Sequence, residues 1–332
     1  MIALDANGAD AGAAAVAEGA HLAGVPVTLY GPAAQLGDAR DVVDAPVAIG
    51  NDEEPALAVR AKPEASIVQC AKAVAAGRAD GLVSAGSTGA ALAAALFHVK
   101  RMRGVHRPAV AALLPVPGRR TLLLDAGGSV EARSEQLVQF AYLGAAFMEA
   151  VEGVSHPRVG LLSVGEEPSK GTPVVVEAHE RIAAGPLDFA GNVEGTDVTA
   201  GVVDVVVTDG FTGNVALKLM EGTTRTVVGA IRDTIRSSPV SSLGGLLIRG
   251  RLGGLRDSLD PNSVGGAILL GLRGVAVVAH GASTPTGIAN AVLLARRAVD
   301  ERMIERTHAA LEAAGALRSA ATASVGSGHD QG

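Results

Sequence analysis

One device recurs along this chain. A short apolar run, β-branched or leucine-rich, breaks off into a small polar loop built around glycine, and a helix-like segment follows. It appears as Ile2-Ala3-Leu4-Asp5-Ala6-Asn7-Gly8, as Gly81-Leu82-Val83-Ser84-Ala85-Gly86-Ser87-Thr88-Gly89, and as Leu122-Leu123-Leu124-Asp125-Ala126-Gly127-Gly128. Val159–Gly165 runs into Glu166-Glu167, Val203–Val207 into Thr208-Asp209-Gly210-Phe211-Thr212-Gly213-Asn214, and Val275–Val278 into Ala279-His280-Gly281. Apolar runs without polar alternation suit strands covered on both faces, as a mostly parallel sheet between helices requires. The alanine-rich stretches Pro63–Ala76, Ala90–His98, Ser134–Val151 and Thr172–Ala184 have helical length and composition. Strand alternating with helix predicts an α/β fold with right-handed crossovers.

Composition sharpens this. Of 332 residues 43 are glycine, while only 2% are aromatic, so the core is built from Ala, Val and Leu. Few aromatics and a net charge of −6 argue against nucleic-acid binding. Cys70 alone forms no intrachain disulfide and points to a reducing, cytoplasmic setting; its neighbours mark it as a core thiol. Asp5, Asp10 and Glu18 precede the first basic residue, Arg40, unlike a secretory signal. The charge-free stretches Gly81–Val99 and Gly274–Ala295 are interrupted by Gly, Ser and Thr and do not read as membrane spans. Eight histidines lack any HExxH or clustered spacing, so neither a metal nor a cofactor is expected. GxxxxGK[ST], GxGxxG and GxSxG are all missing from the loops that would carry them.

The strand-end loops carry the chemistry. In open α/β sheets ligands gather at the carboxyl ends of strands, where glycine lets backbone N–H groups approach an anion. Ser84, Gly86, Ser87, Thr88 and Gly89 form the best phosphate cradle, with ordinary helix capping as the plain alternative. Lys170, close to Glu166 and Glu167, would meet phosphate or a carbonyl oxygen; a solvated ion pair is its plain alternative. His280 would donate a proton or bind an oxyanion, and Asp209 and Asn214 would orient. The basic run Lys100-Arg101-Met102-Arg103-Gly104-Val105-His106-Arg107, with Arg119 and Arg120, would steer an acidic partner or a phosphate-bearing substrate. Ser237–Leu259 breaks the rhythm. Its arginines, leucines and glycine pairs read as a protruding helical hairpin, with Leu317–Gly332 as a frayed tail after one large domain spanning 1–316.

Taken in order, these loops resemble the bacterial phosphate acyltransferase family, which converts acyl-acyl carrier protein and inorganic phosphate into acyl phosphate for phospholipid synthesis. The blocks are Val83–Ala90, Arg107-Pro108-Ala109, Glu135–Ala141, Gly160–Glu167, Gly191-Asn192-Val193-Glu194-Gly195, Asp209–Val215 and His280-Gly281. The resemblance implies an isocitrate-dehydrogenase-like three-layer α/β/α fold, a homodimer, and peripheral attachment to the cytoplasmic membrane, beside a glycerol-3-phosphate acyltransferase. It adds Asp5, Asn7, Gly8, Asp125, Asn192, Glu194, Gly210, Gly213 and Gly281 to the substrate-binding set. It also assigns Leu246, Leu247, Ile248, Arg249, Arg251, Leu252 and Arg256 to membrane or carrier-protein contact, with a buried dimer hairpin as the alternative. Two departures stand out: Ser87 and Ser129 occupy positions where the family usually has Asn. The expected mechanism is direct attack of phosphate on the thioester with no acyl-enzyme. A short-chain phosphotransacetylase using acyl-coenzyme A, a hydroxyacid dehydrogenase of similar fold, and a catalytically inactive binding relative are the rival readings.

Overall fold

The computed structural model describes residues 1–116, 119–258, 260–280 and 283–318. Eleven strands form one sheet: β1 (Ile2–Asp5), β2 (Val27–Gly31), β3 (Val42–Asp44), β4 (Gly81–Ser84), β5 (Ala109–Val116), β6 (Arg119–Leu124), β7 (Val159–Leu162), β8 (Phe189–Val193), β9 (Val205–Val207), β10 (Ala267–Leu270) and β11 (Val275–Val278). The helices are α1 (Gly12–Ala23), α2 (Pro55–Ala61), α3 (Ser66–Ala75), α4 (Thr88–Ala94), α5 (Ser134–Ala150), α6 (Pro173–Ala183), α7 (Gly195–Ala200), α8 (Gly210–Arg236), α9 (Pro239–Ser258), α10 (Pro285–Asp300) and α11 (Met303–Ala313). Helix α4 runs on through a π-helical turn, Ala95–Val99.

Burial follows the pleat. Leu4, Val83, Ala111, Leu122, Val207 and Val277 point into a core shared with α1, α5, α6, α10 and α11. Their neighbours Ala3, Leu82, Val110, Leu123, Val206 and Ala276 point into a second core shared with α2, α3, α4 and α7. Both faces of each central strand are apolar, which is why the runs lack alternation. The result is the three-layer α/β/α sandwich that the resemblance implies.

The strand order is β3-β2-β1-β4-β11-β10-β5-β6-β9-β7-β8. On one side β3, β2, β1, β4 and β11 run parallel, and on the other β6, β9, β7 and β8 run parallel. The antiparallel pairs β11–β10, β10–β5 and β5–β6 lie between them. The two parallel blocks therefore point in opposite directions. Register places Ser84 level with Val278, Ala267, Ala112 and Leu123, two residues short of Asp125. Strands this short leave the carboxyl ends of the two blocks only about 7 Å apart along the strand direction, so loops from both can reach the same cavity.

Two expectations need correcting. Of the stretch 237–259, residue 259 lies outside those described, and 237–258 do not fold as a hairpin of their own. Gly244-Gly245 and Gly253-Gly254 sit inside one continuous helix, α9, and the hairpin is made by α9 folding back on α8. The glycine at 245 serves close approach: a Cβ there would meet the side chain of Ile235 on α8. The start of the expected tail is also anchored, since the Arg318 N–H donates to the Gly104 carbonyl at 2.8 Å and Leu317 packs against the core; residues 319–332 lie outside those described.

Candidate active site

A cavity of about 340 Å³ opens over the seam of the sheet, within the range expected for small-ligand sites. Val110, Ala112, Ala267 and Val278 floor it. Each wall comes from a different loop system: Thr88 and Gly89 after β4, Ala279 and His280 after β11, and Ala126 and Gly127 after β6. Asn214, Lys218 and Glu221 reach in from α8. Leu92, Leu217, Met220 and Val264 give the cavity an apolar part beside this polar rim.

The charged groups are coupled. Lys218 Nζ lies 3.0 Å from Glu221 Oε2, and His280 Nε2 lies 3.8 Å from the same oxygen. The Glu221 side chain is only 11% exposed, whereas those of Lys218 and His280 are 54% and 43% exposed. The carboxylate thus sits inside with the Lys218 ammonium and the His280 ring in front of it, an arrangement that holds the lysine toward the open cavity.

Capping explains the polar residues that begin each helix. Ser87 caps α4 by accepting from the Ala90 N–H at 3.4 Å. Serine and asparagine are equivalent in that role, so the departure at 87 preserves the cap. Asp209 caps α8: its Oδ1 accepts from the Thr212 N–H at 2.8 Å and its Oδ2 from the Thr212 hydroxyl at 2.7 Å. Its carboxylate is committed to the helix rather than aimed into the cavity. Helix α8 is set hard against the loop after β6. A Cβ on Gly210 would collide with the Ser129 carbonyl, and one on Gly213 with the Asp125 carbonyl. Asn214 packs against Gly127, whose φ of +123° only glycine adopts readily.

Asp125 holds that loop from within. Fully buried, its Oδ1 accepts from the N–H groups of Gly128 (2.7 Å) and Val110 (2.9 Å), and its Oδ2 from the Ser129 hydroxyl (2.7 Å). Burial raises its pKa against the lowering effect of these bonds. Serine at 129 therefore braces Asp125 and does not face the cavity. Asp5, 3% exposed, occupies the corresponding place at the end of β1. With Asn7, Gly86 and Ser87 it lines a separate polar pocket of about 10 Å³. Gly8 packs its backbone against Gly86.

Of the residues singled out from sequence, the cavity gathers Thr88, Gly89, Asn214 and His280. The group after β7 and β8 is not among its lining residues. Glu166, Glu167 and Lys170 are exposed in a loop whose backbone is tied by Asn192, which donates to the Glu167 and Lys170 carbonyls at 2.8 and 3.4 Å. Asn192 Oδ1 is 2.9 Å from His179 Nδ1, so this asparagine is a clamp. Glu194 opens α7, its N–H donating to Asp197. Gly281 lies outside the described residues. Much of the basic group is engaged in structure: Arg107 donates to the Gly128 carbonyl, Arg119 to the Gly201 carbonyl, and Arg120 pairs with Glu152. Sequence reading missed Lys218, Glu221 and Asn262. The first two continue the helical row 214–218–221 on α8, a spacing that carries them to the same face as Asn214. Asn262 Oδ1 accepts from the Thr284 N–H at 3.3 Å and steadies the loop that follows His280.

The fold is shared with α/β enzymes of known structure. A phosphotransacetylase from Streptococcus pyogenes aligns over 91% of this chain and 94% of its own with a TM-score of 0.61 at 18% identity. A 4-hydroxythreonine-4-phosphate dehydrogenase from Klebsiella pneumoniae covers 90% and 99% at 0.52 and 15% identity. Sequence goes further: residues 1–306 match the family described as fatty acid synthesis protein. The phosphate acyltransferase of Gloeobacter violaceus is 43% identical over 321 residues, spanning 92% of this chain and 95% of that protein. That of Oceanobacillus iheyensis is 41% identical over 325 residues, spanning 95% and 98%. The chain belongs to the phosphate acyltransferase family and is an acyltransferase.

Proposed function

We propose that the enzyme transfers a long acyl chain from acyl carrier protein to inorganic phosphate, supplying acyl phosphate for glycerophospholipid synthesis. The observation that supports this best is one cavity in which a lysine, a histidine and a hydroxyl share space with an apolar wall. Phosphate would sit between Lys218 Nζ and Thr88, and the acyl chain against Leu92, Leu217 and Met220. A phosphate oxygen attacks the thioester carbonyl, the resulting oxyanion is met by His280 or Asn214, and the C–S bond breaks. The proton of hydrogen phosphate passes to the departing sulfur, so the products are acyl phosphate and free thiol. A thiol leaving group of pKa about 8.5 needs little acid help. Cys70 is wholly buried, in keeping with direct attack and no acyl-cysteine.

The carrier protein, the homodimer and a peripheral membrane contact belong to the same reading. Helix α9 supports the last: Leu246, Leu247 and Ile248 are 62%, 81% and 48% exposed, next to Arg249. Exposed apolar side chains beside an arginine suit the surface of an anionic bilayer. No helix among the described residues is long and apolar enough to cross one. Incubation with long-chain acyl-carrier protein or with acetyl-coenzyme A, each with phosphate, tests the assignment. Hydroxylamine-trappable acyl phosphate from the first only is expected; product from the second only would replace the reading with a short-chain phosphotransacetylase. An acyl-enzyme recovered after acid quench would overturn direct attack.

A further inference from the structure

The Asp5 carboxylate is buried at the end of β1 and is not among the residues lining the main cavity, so its retention as a charged group calls for another role. Its Oδ1 accepts from the Ser66 hydroxyl at 2.6 Å and the Asn7 N–H at 3.2 Å, and its Oδ2 from the Ser84 hydroxyl at 2.7 Å. The Ser84 oxygen in turn accepts from the Gly86 N–H at 3.2 Å. One carboxylate therefore ties the loop after β1 to the loop after β4. The two loops also touch backbone to backbone. A Cβ on Gly86 would come within 2.9 Å of the Asn7 carbonyl, and one on Gly8, where φ is +78°, within 3.3 Å of Gly86 Cα. Two residues beyond Gly86 the chain reaches Thr88 and Gly89, the cavity wall.

We propose that Asp5 is a positioning residue for acyl transfer: through the Ser84 hydroxyl it aligns the Ser84–Gly89 loop so that Thr88 and Gly89 stand where phosphate is held. The proposal rests on the reading of that wall as the phosphate side. Burial pushes the Asp5 pKa up to about 6, opposed by the hydrogen bonds from Ser66, Ser84 and Asn7. On the elements packed against it stand Cys70 on α3, whose thiol the Asp5 charge also pushes up, and Tyr30, registered opposite on β2; burial pushes both up, so they stay neutral in that pH range. Ser66 and Ser84 both favour the ionised carboxylate, but only Ser84 passes the contact on to the loop.

That difference supplies the test on the full chain, with Asp5→Asn, Ser84→Ala and Ser66→Ala compared by phosphate kinetics, pH profile and amide hydrogen exchange. Ser84→Ala and Asp5→Asn are expected to raise the KM for phosphate about five- to tenfold, as for one hydrogen bond lost, and to speed exchange at Gly86. Ser66→Ala should leave both within twofold while moving the acid limb of kcat/KM to higher pH, and Asp5→Asn should abolish that limb. Wild-type KM and Gly86 exchange in Ser84→Ala would overturn the proposal, as would an acid limb unchanged in Asp5→Asn. Should Asp5→Asn fail to fold, Ser84→Ala decides, since it keeps the carboxylate. If the wild type forms no acyl phosphate, the functional reading fails, and Gly86 exchange still reports whether Asp5 aligns the loop.

Discussion

Lys218 and His280 converge on a single atom, Glu221 Oε2, from two elements far apart in sequence, one at 3.0 Å and the other at 3.8 Å. The carboxylate holds the lysine on the cavity side of α8, so that loss of Glu221 and loss of Lys218 should differ. Lys218→Ala removes the charge offered to phosphate and should lower kcat/KM by about 10²–10³-fold, the usual consequence of deleting a group that meets developing charge. Glu221→Gln keeps the lysine and should cost about tenfold at most. Steady-state acyl phosphate formation checks both, and equal losses would contradict the arrangement.

Gly213→Ala should destabilise the fold by about 1–3 kcal/mol, because the new methyl would strike the Asp125 carbonyl and force α8 away from the loop after β6. Gly229→Ala, on the same helix but with open space around the position, should be neutral or slightly stabilising. Urea unfolding of the two variants measures the contrast.

The buried Asp5 makes stability depend on pH. In the folded chain it keeps its proton to about pH 6, whereas at its ordinary value of 3.8 it is released much earlier on unfolding. The folded state therefore binds the proton more tightly, and this group's contribution declines as pH rises from about 4 through about 6, levelling off above. The full change is on the order of 3 kcal/mol. Unfolding free energies of wild type minus Asp5→Asn at pH 4 and pH 7.5 should show that decline; a difference constant with pH would contradict it.

Gln139 is 1% exposed and joins three segments: it accepts from the His106 N–H at 2.8 Å and donates to the Gly104 and Ala316 carbonyls at 2.9 and 2.7 Å. Gln139→Leu strands those groups and should cost about 2–4 kcal/mol, seen as a lower Tm and as protease cleavage near residue 316.

Leu247→Asp on α9 should abolish flotation with anionic vesicles while leaving acyl transfer from soluble acyl-carrier protein within twofold, since the position is 81% exposed and the cavity draws on the other end of the hairpin. Unaltered flotation would remove α9 from the membrane contact.

The strands and most helices were legible because burial on both faces writes itself into uninterrupted apolar runs; Leu122-Leu123-Leu124 and Val205–Val207 are examples. Direction is not written there. A buried antiparallel strand such as β10 has the same apolar composition as strands of the parallel blocks such as β4 and β11, so the mid-sheet reversal is invisible in the sequence. The same gap separated Lys170 from the cavity: β7 lies two places beyond β6 in the sheet, and strand order is a tertiary fact. Asp5, Ser87, Asp125 and Asp209 stand out in the sequence as polar residues in or near strand-end loops, and in the fold their hydrogen bonds hold loops and cap helices. Lys218 was missed for the opposite reason, standing inside a helix rather than in a glycine loop.

Across the seam, the strand-to-strand hydrogen bonds that join one parallel block to the other pass through the ladder of Ala267–Leu270 on Ala109–Ala112. Ala112 and Ala267 are also part of the cavity floor. An occupant of the cavity would thus span the joint on which the two halves of the sheet hang, touching walls supplied by each. Binding energy would then add to the cohesion of that joint, and a filled enzyme should resist being pulled apart at its middle more than at either outer edge.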